Sequence, residues 1–209
     1  MKVLMLNGSP KDNGNTARVL AEMRAVFEKE SVEVDYVHVG HLTVRGCTSC
    51  GACYKQGHCV IEDDIVNDLA VKLAECDGVV LGSPVYYAAP NGTLVTVLNR
   101  LFYSTHFDKR MKVGAAMVVA RRGGATAAVD QLNKYFVIAG MPIAPSHYWG
   151  IAHGARPGEV EADAEGLQTA AMQAQNMVFL MRSIALGKEK TSPGRGLAPP
   201  PTRLTGDMV

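Results

Sequence analysis

"VLMLNGSPKDNGNTA", residues 3–17, sets a short apolar run against a loop of Gly, Ser, Asn and Thr and then passes into a helical pattern. Val3–Leu6 reads as a buried strand. From Gly14 to Glu30 the apolar residues Val19, Leu20, Met23, Val26 and Phe27 share one helical face. The same order of strand, loop and helix recurs along the chain. Val32, Val34, Tyr36, Val37 and Val39 form a second strand. After a cysteine-rich loop, Asp63 or Asp64 caps a helix carrying Ile65, Leu69 and Leu73. Gly78–Leu81 is the third strand, Thr93 to Tyr103 a helix, Val113–Ala120 the fourth strand, and Ala125 to Ala139 a helix. Pro142–Tyr148 is expected to be the fifth strand and Glu161 to Leu186 a long last helix. Five βα repeats call for a parallel sheet with helices on both faces.

Length and composition narrow the partners. The 209 residues suit one domain with a core of ordinary size. The chain is 47% hydrophobic and 20% charged, with a formal net charge of +1, so no field draws in nucleic acid or an anionic membrane. No stretch approaches the ~18 apolar residues of a membrane helix. The N-terminal run stops at Asn7-Gly8, too short for a secretory signal. These readings lead to a cytoplasmic, reducing location. There the sequon Asn91-Gly92-Thr93 is idle, and clustered cysteines serve as ligands or catalysts rather than disulfides. Residues 1–186 are expected to form the domain. The segment 187–209, "GKEKTSPGRGLAPPPTRLTGDMV", is poor in apolar residues and punctuated by Pro193, Pro199, Pro200 and Pro201. It is expected to be a non-helical tail, mobile or laid on a neighbouring subunit.

Open parallel sheets bind ligands outside the carboxyl ends of their strands, and three loops take that position. "NGSPKDNGNTA", residues 7–17, offers hydroxyls and backbone N–H groups in front of a helix N-terminus, which suits a single phosphomonoester. It has neither the Gly-Lys-Ser/Thr of a triphosphate loop nor the Gly-x-Gly-x-x-Gly of a dinucleotide fingerprint. The plainer alternative is a helix cap made by Asn15 or Thr16. "GSPVYYAAPNG", residues 82–92, holds Pro84 and the rings of Tyr86 and Tyr87, which either lie along a flat ligand or plug the sheet end. "ARRGGA", residues 120–125, lets backbone approach a ligand at Gly123-Gly124 and brings Arg121 or Arg122 near it. Its alternative is a strand-to-helix turn with solvated arginines. The three together, in sheet order, are more specific than any one alone.

These loops, with "GCTSCGACYKQGHCVIEDD" at residues 46–64 and "VGAAMVVARRGGATAAVDQLNKYF" at residues 113–136, resemble the NADPH-dependent FMN reductase and iron–sulfur flavoprotein branch of the flavodoxin-like superfamily. The resemblance runs from Met1 to about Leu186. It implies a flavodoxin-like three-layer α/β sandwich with a five-stranded parallel sheet of order 2-1-3-4-5 and bound FMN. Ser9, Lys11, Asn13, Asn15 and Thr16 would then take the phosphate, and Pro84, Val85, Tyr86 and Tyr87 would flank the isoalloxazine. Arg122, Gly123 and Gly124 would meet its pyrimidine edge. Members of this group assemble as dimers or tetramers with the flavin near an interface. "HYWGIAHG", residues 147–154, is placed to cross such an interface unless Trp149 belongs to the core.

In such a protein the flavin carries the redox chemistry, so no catalytic triad or carboxylate pair is needed, and none is evident. The implied activity is that of an NAD(P)H-dependent flavin oxidoreductase. Hydride passes from NADH or NADPH to flavin N5, and electrons go on to a free flavin, a quinone or a one-electron protein carrier. With no second nucleotide motif, nicotinamide and acceptor would use one site in turn. The six histidines show no metal-ligand spacing, and His38 and His41 read as surface residues. Cys47, Cys50, Cys53 and Cys59 are spaced C-x2-C-x2-C-x5-C, which lets a tight loop wrap a [4Fe–4S] cluster. Structural zinc, a redox pair of two thiols and empty thiols are the competing uses. A filled site points to an iron–sulfur electron carrier, an empty one to transfer straight from the flavin. Cys76 reads as a small core residue.

Overall fold

The computed structural model describes residues 1–190. Its elements run β1 (Lys2–Asn7), α1 (Asn15–Lys29), β2 (Glu33–His38), α2 (Cys53–Gln56), α3 (Val66–Glu75), β3 (Gly78–Tyr86), β4 (Ala89–Pro90) and α4 (Gly92–Ser104). They continue with β5 (Val113–Ala120), α5 (Ala125–Ile138), β6 (Ile151–His153), one 3-10 turn at Glu159–Ala162, and α6 (Ala164–Lys190). The strands pair in the order β2-β1-β3-β5-β6, all parallel, and the two-residue β4 pairs antiparallel with β3. Without β4 this is the expected order 2-1-3-4-5.

Alternation along β1 explains the layers. Successive strand side chains point to opposite faces. Leu4 and Leu6 therefore join Leu69, Leu73, Leu94, Leu98, Leu132 and Phe136, so α3, α4 and α5 cover that face. Val3 and Met5 join Val19, Leu20, Phe27, Ala174 and Met177, so α1 and α6 cover the other. A Cβ on Gly114 of β5 would lie 2.4 Å from the Phe136 ring, so α5 seats this closely only against glycine. For α4, Asn91 Oδ1 accepts from Thr93 N at 2.7 Å, a cap of about 1 kcal/mol. The buried stripe Leu94, Val97, Leu98 and Leu101 contributes about 1.5–3 kcal/mol per side chain. The stripe therefore fixes how α4 is rotated, and with it what the rest of the helix presents.

Several expected boundaries move. The third strand continues past Leu81 to Tyr86, and its Pro84 still finds a place because it sits near the end of the ladder. The fifth strand is not Pro142–Tyr148. Gly114 N donates to Pro142 O and Ala144 N donates to Gly114 O, both at 2.8 Å, which makes one bridge at Ile143. Pro145 has no N–H to continue the ladder, and the chain leaves the sheet until β6. The last helix begins at Ala164 rather than Glu161, because Asp163 Oδ1 accepts from Gly166 N and the preceding turn is 3-10. It runs through Gly187 to Lys190, so the first residues of the expected non-helical tail are helical. Lys188 and Lys190 lie in its last turn, where cations favour the helix dipole. The remainder of that tail, 191–209, lies outside the described residues. Among the described residues no helix is long and apolar enough to cross a membrane.

Candidate active site at the carboxyl edge of the sheet

The first loop leaves β1 at Asn7 and is held from three sides. Asn7 Oδ1 accepts from Ser9 N at 2.9 Å while its Nδ2 donates to Tyr36 Oη at 2.8 Å. Gly8 N donates to Gly82 O at 2.7 Å, tying the loop to β3. From β2, His38 Nε2 donates to Ser9 O at 2.5 Å, and its Nδ1 meets the Asp12 carboxylate. The ring thus braces the loop from two sides, through the Ser9 carbonyl and the Asp12 side chain. Behind Ser9 the chain passes at Gly40, where a Cβ would lie 2.2 Å from Ser9 O.

This loop delivers α1 uncapped. Gly14 is the N-cap residue, no side chain caps the helix, and its first turn has no acidic residue. The positive end of the helix dipole and its N–H groups thus face the loop without a side-chain acceptor. The capping role open to Asn15 or Thr16 is not used. Asn15 instead donates through Nδ2 to Arg156 O at 2.8 Å and accepts through Oδ1 from Gly158 N at 2.9 Å, fastening a fourth loop to the site. Glu159 holds that fourth loop from its other side, accepting from Ala155 N and Arg156 N, and those bonds keep its carboxyl below the usual range. Ser9 and Thr16 are buried at the loop, and Lys11 and Asn13 are exposed on it. Nothing in the local pattern of 154–158 marked this fourth loop as part of the edge; the glycines Gly154 and Gly158 were the available sign.

The second and third loops close against each other. After β3 the chain reverses through Tyr87 and Ala88, both with positive φ (50° and 61°), into β4. Ser83 Oγ accepts from Asn91 N at 2.8 Å and pins the base of this hairpin. Pro84 and Val85 are half-buried, while Tyr86 and Tyr87 are exposed, so the tyrosines do not plug the sheet end. Gly124, at φ 89°, opens α5, and a Cβ there would sit 2.8 Å from Ala88 Cα. Arg121, Arg122 and Gly123 are exposed beside it. Trp149 is 58% exposed and packs on Tyr148, with ring centroids 4.8 Å apart, so it is not a core residue.

The cysteine loop leans on α4. Cys47 and Cys50 are exposed, Cys59 is half-buried and Cys53, which opens the single turn α2, is buried. All four line one small pocket with Arg100, Tyr103 and Ser104. Burial and the neighbouring thiols push the Cys53 thiol up. Cys59 is clamped by Asn67, which accepts from its N–H at 3.1 Å and donates to its carbonyl at 2.8 Å. Arg100 is 1% exposed; its Nε and Nη2 reach Cys59 Sγ at 3.4 and 3.3 Å, and its Nη1 pairs with Asp64. Asp64 also accepts from Val66 N at 3.1 Å, but the N-cap of α3 is Ile65, so neither Asp63 nor Asp64 takes the expected capping position. Asp63 turns outward to Arg45. Neither Arg100 nor Ser104 was expected at a site; their place beside the α4 apolar stripe, three and seven residues after Val97, was the readable sign. Measured along the helix axis, Arg100 lies about 12 Å from the start of α4.

Among the described residues, Asp12, His38 and His41 bring three ligand atoms within 4.8 Å of one another, which the scattered spacing of the histidines had hidden. His38 spends both nitrogens on Ser9 and Asp12, so the trio acts as a brace of the first loop. No three cysteine sulfurs come that close. Cys76 is buried, as expected.

Residues 1–156 match the family model described as NADPH-dependent FMN reductase. An iron–sulfur flavoprotein of Methanocaldococcus jannaschii is 33% identical over 178 residues, covering 81% of this chain and 92% of that protein. An iron–sulfur flavoprotein of Methanosarcina thermophila is 29% identical over 196 residues, covering 91% of this chain and all of that one (100%). In fold, an NAD(P)H:quinone oxidoreductase from Methanothermobacter marburgensis superposes with a TM-score of 0.64 at 15% identity, over 85% of this chain and 96% of that one. An uncapped helix behind a hydroxyl-lined loop, at the carboxyl edge of a 2-1-3-4-5 sheet, thus goes with the sequence match: the chain belongs to the NADPH-dependent FMN reductase family, on the branch of the iron–sulfur flavoproteins.

Proposed function

We propose that this FMN-dependent oxidoreductase takes reducing equivalents from NADH or NADPH and passes them on one at a time through a [4Fe–4S] cluster held by Cys47, Cys50, Cys53 and Cys59. The observation that carries this reading is the pocket shared by all four cysteines, walled by a buried guanidinium and a buried hydroxyl without a partner. Bound FMN would supply two-electron acceptance from the nicotinamide, and the cluster would supply one-electron exchange.

The chain's own residues bind and orient. Ser9, Lys11, Asn13 and Thr16 receive the phosphate, aided by the open end of α1; His38 braces the loop, and Asn15 serves the same site by fixing the fourth loop. Pro84, Val85, Tyr86 and Tyr87 flank the ring system, and Arg122, Gly123 and Gly124 meet its pyrimidine edge. Exposed Tyr86 and Tyr87 leave a face where nicotinamide binds and departs before a second reactant enters. That openness also favours a second reading, direct transfer to a free flavin or a quinone. Exposed Ile138, Trp149 and Phe179 supply apolar surface for a homodimer or homotetramer. Parallel double-reciprocal plots with NADPH and acceptor are expected for either route. Anaerobically purified protein should contain FMN with about four iron and four sulfide per chain. Flavin without iron would leave the direct route, and absence of flavin would overturn the reading entirely.

A further inference from the structure

Arg100 and Ser104 stand one turn apart on α4 and so project from the same side of the helix. The Arg100 guanidinium is out of solvent, and each of its nitrogens is engaged. Nη1 donates to the Asp64 carboxylate and to Arg45 O at 3.2 Å, and Nη2 donates to Ile61 O at 2.9 Å. Asp64 already balances its charge, yet Nε and Nη2 also point at Cys59 Sγ. A neutral thiol is a weak acceptor. Two cationic donors on one sulfur suit a metal-bound thiolate, whose charge makes it a strong acceptor.

Ser104 is 3% exposed, lines the same pocket, and its Oγ has no hydrogen-bond partner. A buried hydroxyl left unpaired is unfavourable unless something at the wall of the pocket accepts from it. The four sulfurs, and the sulfides of a group held among them, are the acceptors at hand.

We infer that Arg100 and Ser104 are positioning residues of the cysteine site that donate hydrogen bonds to its sulfur atoms and raise the reduction potential of the cluster. The inference rests on the cluster reading above. Donors to sulfur favour the more negative, reduced state, so removing one lowers the midpoint. Arg100 also locks Cys59 in place, so it governs retention as well as potential; Ser104 governs potential alone.

The test is EPR-monitored potentiometry of the loaded holoprotein, with iron per chain and flavin absorbance read on the same samples. S104A is expected to keep its iron and shift the cluster midpoint to more negative values, with the flavin midpoint unmoved. R100K, which keeps the charge but loses the forked donors, should shift it the same way and release iron to a chelator several-fold faster. R100Q should do both more severely; if it does not fold, S104A and R100K still decide. Loaded S104A and R100K with the wild-type midpoint would overturn this inference while leaving the cluster in place. A wild type that carries flavin but takes up no iron would overturn the cluster reading and this inference with it.

Discussion

Asp64 and Arg100 show how one residue's worth depends on burial. Their side chains are 6% and 0% exposed, whereas Arg24 and Glu28 on α1 are 51% and 55% exposed. Asp64→Ala leaves a guanidinium buried without its counter-charge, and is expected to lower stability by about 3–5 kcal/mol. Glu28→Ala should change it by less than about 0.5 kcal/mol. Urea unfolding followed by circular dichroism separates the two. Cys76 offers a pH test at the same scale, since burial pushes its thiol from 9.0 up to about 11. Below 9 both folded and unfolded chains hold the proton; between 9 and about 11 only the folded chain does. Its contribution to stability is therefore complete below 9 and lost as pH rises towards 11. Cys76→Ala should flatten that part of the alkaline decline, and a decline identical to wild type would count against it. At Arg100 only the place beside the apolar stripe hinted at burial; the pairing itself was not legible, because the partner stands 36 residues away in the chain.

At the scale of elements, the site is a matter of which loop is fastened to which strand or helix. Asn15 joins α1 to the 154–158 loop through two hydrogen bonds, so Asn15→Ala should cost about 1–3 kcal/mol and raise amide exchange at residues 155–160. FMN affinity should weaken with it, and an unchanged exchange pattern there would argue against the coupling. Gly40→Ala is expected to be more damaging to FMN binding, because the new Cβ would displace Ser9 backbone rather than a flexible side chain. Val3–Leu6, the helical periodicities and the three loops were readable locally, since each follows from spacing within a dozen residues. The fifth strand was not. Pro142–Tyr148 has the composition of a strand, but Pro145 interrupts the ladder. Gly150 reopens it, because only glycine passes there: a Cβ would lie 2.0 Å from Ala116 O.

For the whole molecule, a parallel sheet covered on both faces follows from the run of βα units, whereas the strand order was implied only by the family resemblance. How far the cysteine loop stands from the cleft does not follow from its place after β2. That depends on α4, whose first turn follows the hairpin and whose last turns wall the cysteine pocket. One helix therefore touches both ends of the proposed electron route. The most direct test is an anaerobic reductive titration of the holoprotein with dithionite, followed by visible absorbance and low-temperature EPR. About three electrons per chain are expected, two for the flavin and one for the cluster, with a reduced-cluster EPR signal. Two electrons per chain, a bleached flavin and no such signal would contradict that route.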